Sequence, residues 1–97
     1  IVRQFEVMGL CGEGEGVDFL YEEGIAWNQK FPTNTDGGLL SFSHTGWGGP
    51  TLKVVEAVKQ LRGDARSGQV EESETALVTG AGSGAQYFNA AILSVDR

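Results

Sequence analysis

The chain has 97 residues, a formal net charge of -6 and 15 glycines, about twice the usual glycine share. That length allows one domain with a small core, which excludes a large self-contained enzyme. Seven Lys+Arg against thirteen Asp+Glu leave no basic patch to collect phosphates, so no nucleic-acid partner is expected. Ile, Val, Leu and Phe make up 25 of the 97 residues, enough to build a core rather than a disordered tail. The single Cys11 permits no internal disulfide, and with His44 as the single histidine a Cys/His metal site is short of ligands. Apolar runs fall well short of the roughly 20 residues that span a bilayer, and no basic-then-apolar leader opens the chain. A soluble, cytoplasmic protein is expected.

Residues 1–10 carry Val2, Phe5 and Met8 at helical spacing with no capping residue before them, so a helix is expected there, with the chain starting inside it. Gly12-Glu13-Gly14-Glu15-Gly16 reads as a flexible acidic loop. Residues 18–27 are expected to form a short second, weakly apolar helix (Phe19, Leu20, Ile25) ended by Pro32 and Asn34. Residues 37–42, with Leu39, Leu40 and Phe42, read as a short strand, and 43–50 as a glycine-rich turn. Thr51 sits at an N-cap, Val54, Val55, Val58 and Leu61 share a face, and Gly63 stands where a left-handed C-terminal cap belongs, so the clearest helix of the chain ends there. After a polar stretch with Glu71, Glu72 and Glu74, two apolar runs at 75–79 and 87–95 are strands separated by another glycine-rich turn. The fold class is α/β in one domain, without an internal repeat: helix, loop, short strand, helix, then two antiparallel strands.

Several chemical readings compete. Thr79-Gly80-Ala81-Gly82-Ser83-Gly84 follows a strand as a pyrophosphate loop would. It lacks the following helix and the acidic residue about 20 positions on that a dinucleotide site requires. Glu13, Glu15 and Asp18 lack the spacing of a calcium loop, and a solvated acidic loop is the simpler reading. Cys11 is more simply an inert thiol than a nucleophile, and Ser41 and Ser43 lack a Gly-x-Ser-x-Gly elbow. His44 lies among Gly37, Gly38, Gly46, Gly48 and Gly49, where the backbone can approach a ligand closely.

Four ordered blocks carry a resemblance. They are Gly9-Leu10-Cys11-Gly12-Glu13-Gly14-Glu15-Gly16, then Asn34-Thr35-Asp36-Gly37-Gly38 running into Ser43-His44-Thr45-Gly46, then Gln60-Leu61-Arg62-Gly63, then Val78-Thr79-Gly80-Ala81-Gly82 with Ser83-Gly84. Together they resemble the C-terminal part of a thiolase of the lipid-transfer or sterol-carrier branch. The resemblance implies a partial domain of a layered α/β enzyme that makes or breaks carbon–carbon bonds beside an acyl-CoA thioester. His44 would be the loop histidine that activates a nucleophilic cysteine supplied by an N-terminal domain. Asn34, Gly80, Gly82 and Gly84 would bind the substrate and its oxyanion. It further implies a coenzyme A thioester as substrate with no resident cofactor or metal, and an OB-fold acyl-CoA-binding partner. The sheet edges and helix faces that a partial α/β unit exposes lead to the expectation of a homo-oligomer or a poorly stable fragment.

Three positions depart from that pattern. Ser43-His44-Thr45 replaces Gly-His-Pro, Val78 stands where a second cysteine would move the α-proton, and Cys11 matches a loop other than the nucleophile's. The isolated chain is therefore expected to be inactive. His44-Thr45-Gly46-Trp47-Gly48-Gly49 also resembles the loop of thiolase-like retro-aldolases acting on steroid side chains, with Gly48 at their tyrosine position. Tyr87 is the remaining phenol near the site, and its place at the start of the last strand suits a core or edge role at least equally. A non-catalytic acyl-CoA- or lipid-binding module is the other alternative.

Overall fold

The computed structural model describes residues 1–42, 46–82 and 86–96. The chain divides into two compact units, Ile1–Thr33 and Asn34–Arg97.

In the first unit, α1 (Val2–Val7) and α2 (Gly16–Glu23) are both shorter than the expected helices. Gly24 at φ 70° ends α2. The chain then doubles back, with the N–H groups of Lys30, Phe31 and Thr33 donating to the carbonyls of Glu23, Gly24 and Ile25. This return delivers Phe31 to Phe5 and Phe19, whose rings pack with centroids 5.1 to 5.7 Å apart. Phe5 is 2% exposed, so its burial contributes about 1.5–3 kcal/mol before the edge-to-face contacts are added. The acidic loop is pinned by carboxylates rather than solvated throughout. Glu15 accepts the Gly12 N–H at 2.9 Å and Glu6 accepts the Gly16 N–H at 3.1 Å.

The second unit holds α3 (Gly38–Phe42), a 3₁₀ turn (Gly46–Gly48), α4 (Gly49–Arg62), β1 (Thr75–Gly82) and β2 (Tyr87–Ser94). The strand expected at 37–42 is a helix. The Asp36 carboxylate accepts the Gly38 N–H at 2.7 Å and holds the chain in a turn that opens into helical rather than extended backbone. A short apolar run cannot by itself distinguish the two states.

Helix α4 starts at Gly49, ahead of the expected cap at Thr51, with Gly48 at the N-cap position and Pro50 in the first turn, where its missing N–H costs nothing. It ends as expected. Gly63 takes φ 76°, its N–H donates to the Gln60 carbonyl, and the Asp64 N–H donates to that of Lys59, the paired bonds of a Schellman cap. The buried face overlaps the expected stripe only in part: Leu61 is buried and Val58 half-buried as expected, beside Ala57 and Gln60, while Val54 and Val55 are exposed.

Strands β1 and β2 pair antiparallel in the register Thr75↔Ser94 to Gly82↔Tyr87, and α4 packs on β1. Alternation puts Ala76, Val78 and Gly80 on one face, with their partners Leu93, Ala91 and Asn89. Leu77, Phe88 and Ile92 share the opposite face and are exposed.

Candidate functional site

The residues expected to bind substrate begin with Asn34, which adopts φ 50°, a left-handed conformation that asparagine tolerates better than most side chains. Its carbonyl accepts the Gly37 N–H at 2.8 Å. Thr35 Oγ1 donates to Glu56 Oε1 at 2.7 Å and ties this turn to the middle of α4. Just beyond, Leu39 of α3 reaches the start of α4: a Cβ on Gly49 would stand 3.7 Å from Leu39 Cδ2.

Gly80 meets the same end of α4. A Cβ there would stand 2.9 Å from Oδ1 of its cross-strand partner Asn89 and 3.5 Å from Pro50 Cβ, an ordinary van der Waals contact with the helix. Gly82 is exposed and faces open space. His44 and Gly84 lie in the segments 43–45 and 83–85, outside the described residues. The described residues thus bring Gly80 to the first turn of α4 and tie the Asn34 turn to its middle.

Other candidates stand elsewhere. Val78 is half-buried on β1 opposite Ala91, on the same face as Gly80. Tyr87 opens β2 opposite Gly82 and is 70% exposed, so it is not a core residue. Cys11 belongs to the first unit, where burial raises its thiol pKa and the carboxylates of Glu6 and Glu15 raise it further. That is the reverse of what an attacking thiolate needs. Glu6 is depressed chiefly by the Gly16 N–H, against an opposing effect of burial, with further help from the Gly14 N–H and Arg3. Among the described residues no three His, Cys, Asp or Glu side chains converge as a metal site requires, and no helix is long and apolar enough to cross a membrane.

The reading of single residues missed Thr35, Glu56 and Gln60. Gln60 was visible only as the first letter of Gln60-Leu61-Arg62-Gly63. In the fold it is buried, donating to Glu56 and to the Gly68 carbonyl and accepting the Val70 N–H. The spacing of four between Glu56 and Gln60 puts them on adjacent turns of one face, the one signal that could have revealed the pair.

The comparison of the whole chain with known proteins agrees with the four blocks. The family model described as thiolase C-terminal domain-like matches residues 1–95, and the chain belongs to that family. It is 33% identical over 67 residues, 69% of its length, to the benzoylsuccinyl-CoA thiolase subunit BbsB of Thauera aromatica. It is 39% identical over 61 residues, 62% of its length, to a 17-hydroxy-3-oxo-4-pregnene-20-carboxyl-CoA lyase of Mycobacterium tuberculosis. It is 33% identical over 73 residues, 75% of its length, to human sterol carrier protein 2. The matches cover 17%, 15% and 13% of those proteins, so the chain spans under a fifth of the relatives it matches. No solved structure matches it significantly.

Proposed function

We propose that this chain supplies His44 and two glycine-rich segments to a thiolase-type acyl-CoA site, and that the nucleophilic cysteine of that site comes from residues outside these 97. The observation that carries the reading is Gly80 seated against Pro50: the glycine-rich end of β1 meets the helix that directly follows the histidine loop. Cleaving or forming a carbon–carbon bond beside a thioester puts negative charge on a carbonyl oxygen, in the enolate and in the tetrahedral adduct. Fixed N–H donors lower that barrier because they are already oriented when the charge develops. The reading assigns that part to backbone amides near Gly80, Gly82 and Gly84 and to the Asn34 side chain. His44 is assigned the part of the general base that takes the cysteine proton. In this reading an N-terminal thiolase domain, a second copy of the protein and an OB-fold acyl-CoA-binding protein are its partners.

Val78 supports a second reading. Valine cannot carry the α-proton, so a carbon–carbon lyase or a binding module fits the chain as well as an acyltransferase does, and a lyase is among its relatives. Calorimetry and a spectrophotometric assay test these readings. The chain alone is expected to bind acetyl-CoA weakly and to turn over nothing; turnover by the chain alone would overturn the proposal. In the protein with the site complete, His44→Ala is expected to lower acetoacetyl-CoA thiolysis by about 10²-fold or more. Cleavage of a β-hydroxyacyl-CoA but not of acetoacetyl-CoA selects the lyase, and binding without either reaction selects the module.

A further inference from the structure

Gln60 opens a sequence block whose role the proposed site leaves open. Its side chain is fully committed: Nε2 donates to Glu56 Oε1 and to the Gly68 carbonyl, each at 2.9 Å, and Oε1 accepts the Val70 N–H at 2.8 Å. With 7% exposure it holds Glu56 one helical turn back along α4. The same Glu56 oxygen accepts Thr35 Oγ1 at 2.7 Å. Three side chains therefore run from the loop at 68–70, through α4, to the turn that carries Asn34.

That turn needs holding. Asparagine tolerates the left-handed region better than most residues, yet the conformation is one of several open to it and is selected by the bonds around it. At Asn34 the restraints are the Gly37 N–H on its carbonyl, the Gly38 N–H on Asp36, and Thr35 on Glu56. The first two are internal to the turn. The third is the bond that fixes the turn relative to α4, whose first residues meet Gly80.

We propose that Glu56, held by Gln60, is a positioning residue that sets the turn presenting Asn34 to the thioester. The role rests on the acyl-CoA reading above. It requires an acceptor oxygen at Glu56 and a hydroxyl at residue 35, and it does not require the negative charge.

The test is a titration of the isotopically labelled chain with acetyl-CoA, followed by nuclear magnetic resonance, with thermal melting and amide exchange measured alongside. Thr35→Val, which removes the hydrogen bond to Glu56, and Glu56→Ala, which removes that bond and the one from Gln60, are expected to weaken acetyl-CoA binding by about tenfold, on the order of one net hydrogen bond. Both should also speed exchange at the Gly37 and Gly38 amides. Thr35→Ser and Glu56→Gln keep donor and acceptor and are expected to stay within about twofold of the parent chain. A lower melting temperature with unchanged affinity would leave Glu56 a purely structural residue and overturn the proposal. Thr35→Val differs by one hydroxyl and keeps the test decisive if Glu56→Ala does not fold. Binding by the parent chain with equal binding by Thr35→Val refutes the positioning role alone, whereas no binding by the parent chain refutes the acyl-CoA reading and this role with it.

Discussion

At Glu6, a carboxylate that looks like one more surface charge in the sequence closes the first unit. Its side chain is 9% exposed, with Arg3 at 3.1 Å and the Gly16 N–H at 3.1 Å. The Arg3 side chain is itself 74% exposed, so that ion pair contributes little and the backbone bond matters more. Because the folded state depresses the Glu6 pKa, its contribution is present above the ordinary glutamate range near pH 4 and is lost as pH falls through the lower folded value. Thermal melts from pH 6 down to pH 3 should therefore show a loss of stability that Glu6→Gln flattens. An identical slope in the variant would show that other carboxylates carry the acid sensitivity. Gly16 sits against the same group: a Cβ there would stand 2.7 Å from the Val2 carbonyl oxygen and 2.9 Å from Glu6 Oε1. Gly16→Ala is expected to cost about 1–3 kcal/mol through overpacking, measured as a shift in the denaturant midpoint.

The helix that organises the second unit is α4, and its two ends do different work. The N-terminal end meets Gly80 and Leu39, while the C-terminal end is closed by Gly63 and clamped by Gln60 to the loop at 68–70. A shallow groove lined by Gln60, Arg62, Gln69 and Glu71 lies at the clamped end, away from the candidate site. The left-handed Gly63 cap makes a prediction at this scale. Gly63→Ala puts a Cβ into a conformation that costs about 1–2 kcal/mol, so denaturant unfolding should show that loss; unchanged stability would mean the helix end unwinds without penalty. Helix α3 belongs to the same scale. Its leucines were legible as apolar but not as helical, because the turn at Asp36 rather than the period of the side chains selects the backbone state.

Taken whole, the chain leaves apolar surface unpaired. Leu77, Phe88 and Ile92 share one exposed face of the hairpin, and Ile92 is 73% exposed. Among the described residues β1 and β2 pair only with each other. Open edges beside an apolar face drive association. Light scattering on the isolated chain is expected to show oligomers, and Ile92→Lys should shift them towards monomer; a monomeric parent chain would contradict this.

The sequence by itself determined what local chemistry controls. Gly63 as a cap and the antiparallel strand pair could be read from residue type and spacing, because a cap is set by a few neighbouring residues; Gly80 and Gly82, expected in a turn, instead belong to β1. The four ordered blocks likewise pointed to the family that the whole-chain comparison establishes. Tertiary structure decided what depends on partners distant in sequence. Ala57 and Gln60 join Leu61 on the buried face of α4 while Val54 and Val55 are exposed, and Gly38–Phe42 is helical. Gly80 lies on Pro50, and Thr35 reaches Glu56 across 21 residues. No periodicity encodes those meetings, since burial and hydrogen bonding between distant segments exist only once the chain has closed on itself.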